Sequence, residues 1–205
     1  MNWLAHLFLA EPQPAFQLGS ILPDFVDRTT LATLPPEFRP GIKQHQEVDV
    51  FTDTHPIPRQ TARRISPPYR RFGSIISDVI YDHFLATEWA SYSVVPLRDF
   101  IDQAYGTFDV YHHCLPAILN TRLAQMRAED WLFSYSELNG IRRALDRIGL
   151  RLRRPLPLGD CMNDLEAQYD AIHQDFREFF PALVIHAREC LIGDGRPPTP
   201  ETEMG

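Results

Sequence analysis

The chain has 205 residues, 44% hydrophobic and 23% charged, enough for one well-buried domain and short for two. Its net charge of −7 argues against a general nucleic-acid binder, which needs a basic surface to displace counterions. No run of eighteen apolar residues offers a membrane span.

Asn2 to Ala10 reads as a short helix with Trp3, Leu4, Leu7 and Phe8 inward, leaving Asn2 and His6 four apart on another face. The pair is either a capping Asn with an exposed His or two functional groups. The segment lacks a basic leader and a small-residue cleavage site, so a signal peptide is not expected. Asp24 stands out in the apolar run Leu18 to Val26, where a turn or N-cap role after Pro23 suits it. A helix is expected from Gly41 to Thr54, stopped by Pro56. His45, Asp49 and Asp53 recur on it at i, i+4 and i+8. Such a stripe is commonly a solvated face; here every member can bind a metal or move a proton.

Arg59, Arg63, Arg64, Arg70 and Arg71 fall within thirteen residues, a local positive field in an acidic chain. It suits either an anionic partner or a solubilising surface. A long helix from Tyr69 to Ser91 is predicted to be central, with Phe72, Ile75, Ile76, Val79, Ile80 and Phe84 as its apolar face. Asp78 and Asp82 stack along the border of that face and His83 lies within it. Buried carboxylates require partners, protonation or a cation, so the run Asp78 to His83 is the chain's first candidate site. A capped or salt-bridged Asp-His pair is the plainer alternative.

Further helices are expected over Pro96–Tyr111, Pro116–Met126 and Ser136–Ile148, and a long final one from Asp160 to Leu191, kinked at Pro181. His112, His113, His173 and His186 are assigned no chemistry. Arg142, Arg143, Arg147, Arg151, Arg153 and Arg154 form a second basic cluster that would extend the first if the two met in space. Residues 193–205, rich in Pro, Gly and Glu, are expected to be a disordered tail. Cys114, Cys161 and Cys190, odd in number and without a CxxC pair, fit a reducing cytoplasm. The expectation is an all-α, single-domain, compact helical bundle over residues 1–192, with oligomeric state left open.

Four stretches carry a likeness to a known family: Asn2-Trp3-Leu4-Ala5-His6-Leu7, Gly19-Ser20-Ile21-Leu22-Pro23-Asp24-Phe25, His45 through Asp53, and Asp78-Val79-Ile80-Tyr81-Asp82-His83-Phe84-Leu85. Asp130-Trp131-Leu132 with Tyr135, and Asp175-Phe176 leading to Phe179-Phe180-Pro181, echo it later. The chain resembles the acyl carrier protein phosphodiesterases, themselves similar to the all-helical, metal-dependent HD phosphohydrolases.

The resemblance implies hydrolysis of the phosphodiester joining 4′-phosphopantetheine to a serine of acyl carrier protein. It implies a divalent cation, Mn²⁺ or Mg²⁺ with Fe²⁺ also suitable, held by the Asp82-His83 pair with His6 and Asp24. His45, oriented by Asp49, is the expected acid for the leaving serine. Asp78 is expected to accept a proton from the attacking water or to orient His83. Asn2 and Asp53 are placed with the substrate-binding residues, and Arg63, Arg64, Arg70 and Arg71 would attract the acidic carrier. Two alternatives stand beside this: a non-catalytic adaptor docking the carrier protein, and an HD phosphohydrolase acting on a nucleotide or small diester.

Overall fold

In a computed structural model, which describes residues 1–193, twelve α-helices and short 3-10 turns pack around one apolar core. The helices are α1 (Trp3–Leu9), α2 (Pro14–Gly19), α3 (Arg28–Thr33), α4 (Arg39–Thr54), α5 (Pro56–Arg64) and α6 (Gly73–Thr87). They continue as α7 (Leu97–Val110), α8 (Ala117–Ala128), α9 (Trp131–Ser134), α10 (Leu138–Arg151), α11 (Met162–Ala167) and α12 (Tyr169–Gly193). No strand occurs among the described residues, so the all-α, single-domain expectation holds. No helix among them is long and apolar enough to cross a membrane. The tail expectation falls on residues 194–205, outside the described residues, and Gly193 itself closes α12.

α6 packs against α1, α5, α10 and α12, and its residues from Ile76 to Ala86 are buried on nearly every side, with only Asp78 partly open. The single apolar stripe read from the sequence is therefore too narrow. Ile75, placed on that stripe, is 36% exposed, while Ser77, Tyr81 and Asp82 are buried. The long element expected over Tyr69–Ser91 is divided into a 3-10 turn at Tyr69–Phe72, α6, and a second turn at Trp89–Ser91.

Proline positions explain the other boundary differences. Pro56 both ends α4 and opens α5, because a first-turn residue needs no intrahelical N–H donor. His55 Nδ1 caps α5 by accepting from Ile57 N at 3.3 Å. The last helical pattern breaks between α11 and α12, whereas Pro181 lies inside α12. α5, α6 and α12 are tied by a polar clasp: Thr61 Oγ1 donates to Asp175 Oδ2 and lies 2.8 Å from Tyr81 Oη, and Arg64 Nε reaches the same Asp175 oxygen at 3.0 Å.

The crossing of α2 and α4 sets the site. A Cβ on Gly41 would lie 2.1 Å from Phe16 O, so only glycine permits this approach. One turn later, the same closeness brings His45 to the end of α2, where its Nδ1 lies 2.7 Å from Ser20 O.

Candidate metal centre

His6 on α1 and His45 on α4 stack face to face, with ring centroids 4.0 Å apart. Asp49 follows His45 by one helical turn and spans the two rings. Its Oδ1 is 3.2 Å from His6 Nε2 and its Oδ2 is 3.0 Å from His45 Nε2. Asp24, in the 3-10 turn Leu22–Asp24, places Oδ1 3.8 Å from His45 Nε2. Ser20 O can only accept, so Nδ1 of His45 carries a proton and the remaining nitrogen is turned to the cluster. A backbone carbonyl fixing one imidazole nitrogen and freeing the other is the usual support of a metal-ligating His.

The α-ammonium of Met1 is buried here, 3.3 Å from Asp49 Oδ1 and 3.2 Å from Asp78 Oδ1. Burial opposes its charge, but Asp78 and Asp49 overcome that and raise its pKa to about 11. Burial and the neighbouring His45 push His6 down to about 3, leaving it a neutral imidazole. Burial also disfavours charge on His45, yet its hydrogen bond to Asp49 and the charge of Asp24 hold its pKa above the ordinary value. Asp49 resists desolvation through hydrogen bonds with His45 and His6, which keep it well below the usual carboxylate range. Asp24 is pushed up by burial, and Asp78 for the same reason to about 6.

A metal fits this donor set. Side-chain donor atoms of His6, His45 and Asp49 all lie within 4.8 Å of one another. The Met1 ammonium meets Asp49 and Asp78, and Asp24 faces His45, so carboxylates surround the donor atoms on several sides. Mixed imidazole and carboxylate donors suit such an ion.

The structure places the Asp82-His83 pair elsewhere. Asp82 is fully buried, and its oxygens accept from Leu4 N at 2.8 Å and Ala5 N at 3.1 Å. It satisfies the first turn of α1, where the positive end of a helix favours a carboxylate. His83 lies 2.8 Å by Nδ1 from Tyr135 O and 2.9 Å by Nε2 from Tyr169 Oη. Expected from the sequence to hold the cation, the pair has its polar atoms engaged by these partners, and the donor atoms that converge are those of His6, His45 and Asp49. The buried carboxyl read from the sequence is there; burial pushes it up to about 8 against the Leu4 and Ala5 N–H groups that hold it.

Other expected site residues divide. Asp78 reaches the cluster through Met1, and Asp53 lies exposed one turn beyond Asp49. Asn2 is buried and donates to Tyr135 Oη at 2.8 Å. Arg63, Arg70 and Arg71 are exposed, whereas Arg64 is committed to Asp175. Its part in substrate docking is therefore corrected to a structural one.

The family model described as acyl carrier protein phosphodiesterase matches residues 1–183. The chain belongs to the acyl carrier protein phosphodiesterase family. The acyl carrier protein phosphodiesterase of Yersinia enterocolitica is 34% identical over 195 residues, covering 94% of this chain and 100% of the relative. Those of an Enterobacter species and of Escherichia coli O139:H28 are each 32% identical over 189 residues, covering 92% and 91% of this chain and 98% and 97% of the relative. No solved structure matches the chain.

In this acyl carrier protein phosphodiesterase family member, two site features escaped sequence reasoning. The Met1 amine gives no pattern signal, because its role depends on α1 being threaded beneath α4 and α6. Trp3 also meets Asp24, whose charge reaches Arg151, and only the unusual density of arginine on α10 hinted at the latter.

Proposed function

We propose that this chain hydrolyses the phosphodiester between 4′-phosphopantetheine and the serine of acyl carrier protein, as a cytoplasmic, metal-dependent enzyme. The convergence of His6, His45 and Asp49 from two helices carries this reading. These three residues would hold a divalent cation, Mn²⁺ or Mg²⁺ with Fe²⁺ also suited, while Asp24, beside His45, stays outside the shell. When bound, the cation supplies positive charge against the non-bridging phosphoryl oxygens and acidifies the attacking water.

The chain's own groups account for the protons. Asp78, beside Met1, and Asp24, beside His45, flank the cluster, and burial raises both. Asp78, raised to about 6, exchanges protons efficiently near working pH. Asp78 takes the proton of the attacking water as the new phosphorus–oxygen bond forms. Asp24 returns a proton to the serine oxygen as its bond to phosphorus breaks. His45, expected from the sequence as the acid, instead offers Nε2 as a donor atom while Ser20 O holds its Nδ1–H. Arg63, Arg70 and Arg71 present positive charge to an acidic carrier protein.

The test is the intact mass of holo acyl carrier protein after incubation with the protein, with and without chelator. Loss of the phosphopantetheine group that chelator prevents and Mn²⁺ restores is expected. Salt-sensitive binding of the carrier without any loss of mass would overturn the reading in favour of an adaptor.

A further inference from the structure

Several arginines of the fold are answered by acids: Arg64 by Asp175, Arg98 by Asp102 and Asp130, Arg127 by Asp109, and Arg177 by Glu88. One group is not. Arg143, Arg147 and Arg151 follow one another at i, i+4 and i+8 on α10 and so share a face. Arg122 of α8 lies near enough for its charge to act on Arg151. Arg143 and Arg151 are exposed, and neither they nor Arg122 make a hydrogen bond or ion pair among the described residues. Partial burial, then the like charges of Arg122 and Arg147, hold Arg151 below the usual arginine range. A row of mutually repelling cations is relieved by negative charge laid across it.

The surface is not only charged. Leu150, seven residues after Arg143 and therefore on the same face, is 74% exposed. Ile118, one turn before Arg122 on α8, is 57% exposed. Cations interleaved with open apolar side chains suit an acidic amphipathic helix, which offers carboxylates and an apolar stripe together. The face also adjoins the candidate metal centre. The Asp24 charge acts on Arg151, and Asp24 Oδ1 is 3.8 Å from His45 Nε2. The first arginine cluster is more engaged within the fold: Arg64 is held by Asp175, Arg70 Nε donates to Ile65 O at 2.8 Å, and the Arg71 guanidinium lies 4.7 Å from the Phe72 ring centroid.

We propose that the α10 face of Arg143, Leu150 and Arg151, with Ile118 and Arg122 of α8, seats an acidic amphipathic helix of the carrier protein. The assignment rests on the proposed reaction, which makes the carrier the partner. Arg63, Arg70 and Arg71 then steer the carrier as it approaches, whereas the α10 face sets how long it stays. Seated there, the carrier lies on the Asp24 side of the His6, His45 and Asp49 cluster.

The test is surface plasmon resonance of apo acyl carrier protein, in chelator and at low and high salt, over wild type and variants. Arg143→Glu with Arg151→Glu should weaken binding at least about tenfold at low salt, mainly through faster dissociation, with the gap narrowing as salt rises. Leu150→Asn should speed dissociation at least about threefold at both salt levels, because an apolar contact is not screened. Arg70→Glu with Arg71→Glu should slow association and leave dissociation unchanged. If the folded Arg143→Glu, Arg151→Glu protein binds the carrier within twofold of wild type at low salt, the proposal is overturned; if it does not fold, the same result for Arg143→Gln with Arg151→Gln overturns it. Binding of wild type to phosphatidylglycerol vesicles that depends on these arginines, with carrier binding indifferent to them, would also overturn it. Carrier mass separates the two claims. Hydrolysis by wild type with carrier binding indifferent to Arg143 and Arg151 removes the docking face alone, whereas binding that depends on them without hydrolysis supports the face and removes the reaction.

Discussion

His6 and His45 lie ring on ring at 4.0 Å, and each turns its Nε2 to a different oxygen of Asp49. Two imidazoles sharing one carboxylate require a proton or a cation between them. This arrangement, rather than the Asp82-His83 pair, is therefore where metal affinity should reside. Asp49→Ala and His45→Ala should each lower Mn²⁺ affinity about tenfold or more and reduce turnover in step, read by metal content after dialysis and by carrier mass.

Asp82 should behave as a structural residue. Removing its carboxylate in Asp82→Ala strands the buried Leu4 and Ala5 N–H groups, at a cost of about 2–4 kcal/mol in denaturant unfolding. Metal content per folded chain should stay that of wild type.

The two kinds of arginine in the first basic cluster should separate. Arg70→Glu with Arg71→Glu, at exposed positions, should raise the KM for carrier protein at low salt, with the difference shrinking as salt rises. Arg64→Glu faces the buried Asp175 and should instead destabilise the fold by about 3–5 kcal/mol, seen as a lowered Tm.

Chelated protein should carry a His6 signature in its acid stability. His6 titrates at about 3 in the fold against an ordinary 6.5, so between these values the unfolded chain binds a proton that the fold refuses. Stability from this group is complete above pH 6.5 and declines as pH falls toward about 3, by roughly 1.4 kcal/mol per pH unit. Asp78, raised to about 6, has the opposite slope at acid pH, so the comparison must be with His6→Gln. The stability gap between wild type and that variant should be constant above pH 6.5 and narrow below it.

Helical periodicity and proline positions made most of the fold legible, because apolar spacing and missing N–H donors act locally. α5 was hidden by reading Pro56 only as a stop. The i, i+4 spacing of His45 and Asp49 was legible for the same local reason, and the family likeness pointed to His6 and Asp24, which the fold sets beside them. What could not be read was pairing across helices. Asp82 looked like a ligand because a buried carboxylate needs a partner, and nothing local reveals that the partner is the N-terminal turn of α1. Arg64 and Arg147 likewise differ from their neighbours only through Asp175 and Trp131, which are distant in sequence.

Anomalous diffraction from crystals soaked in MnCl₂ tests the central claim most directly. A manganese peak within about 2.5 Å of His6 Nε2, His45 Nε2 and an Asp49 oxygen is the expected result. A peak coordinated by Asp82 or His83, with none beside Asp49, would contradict it.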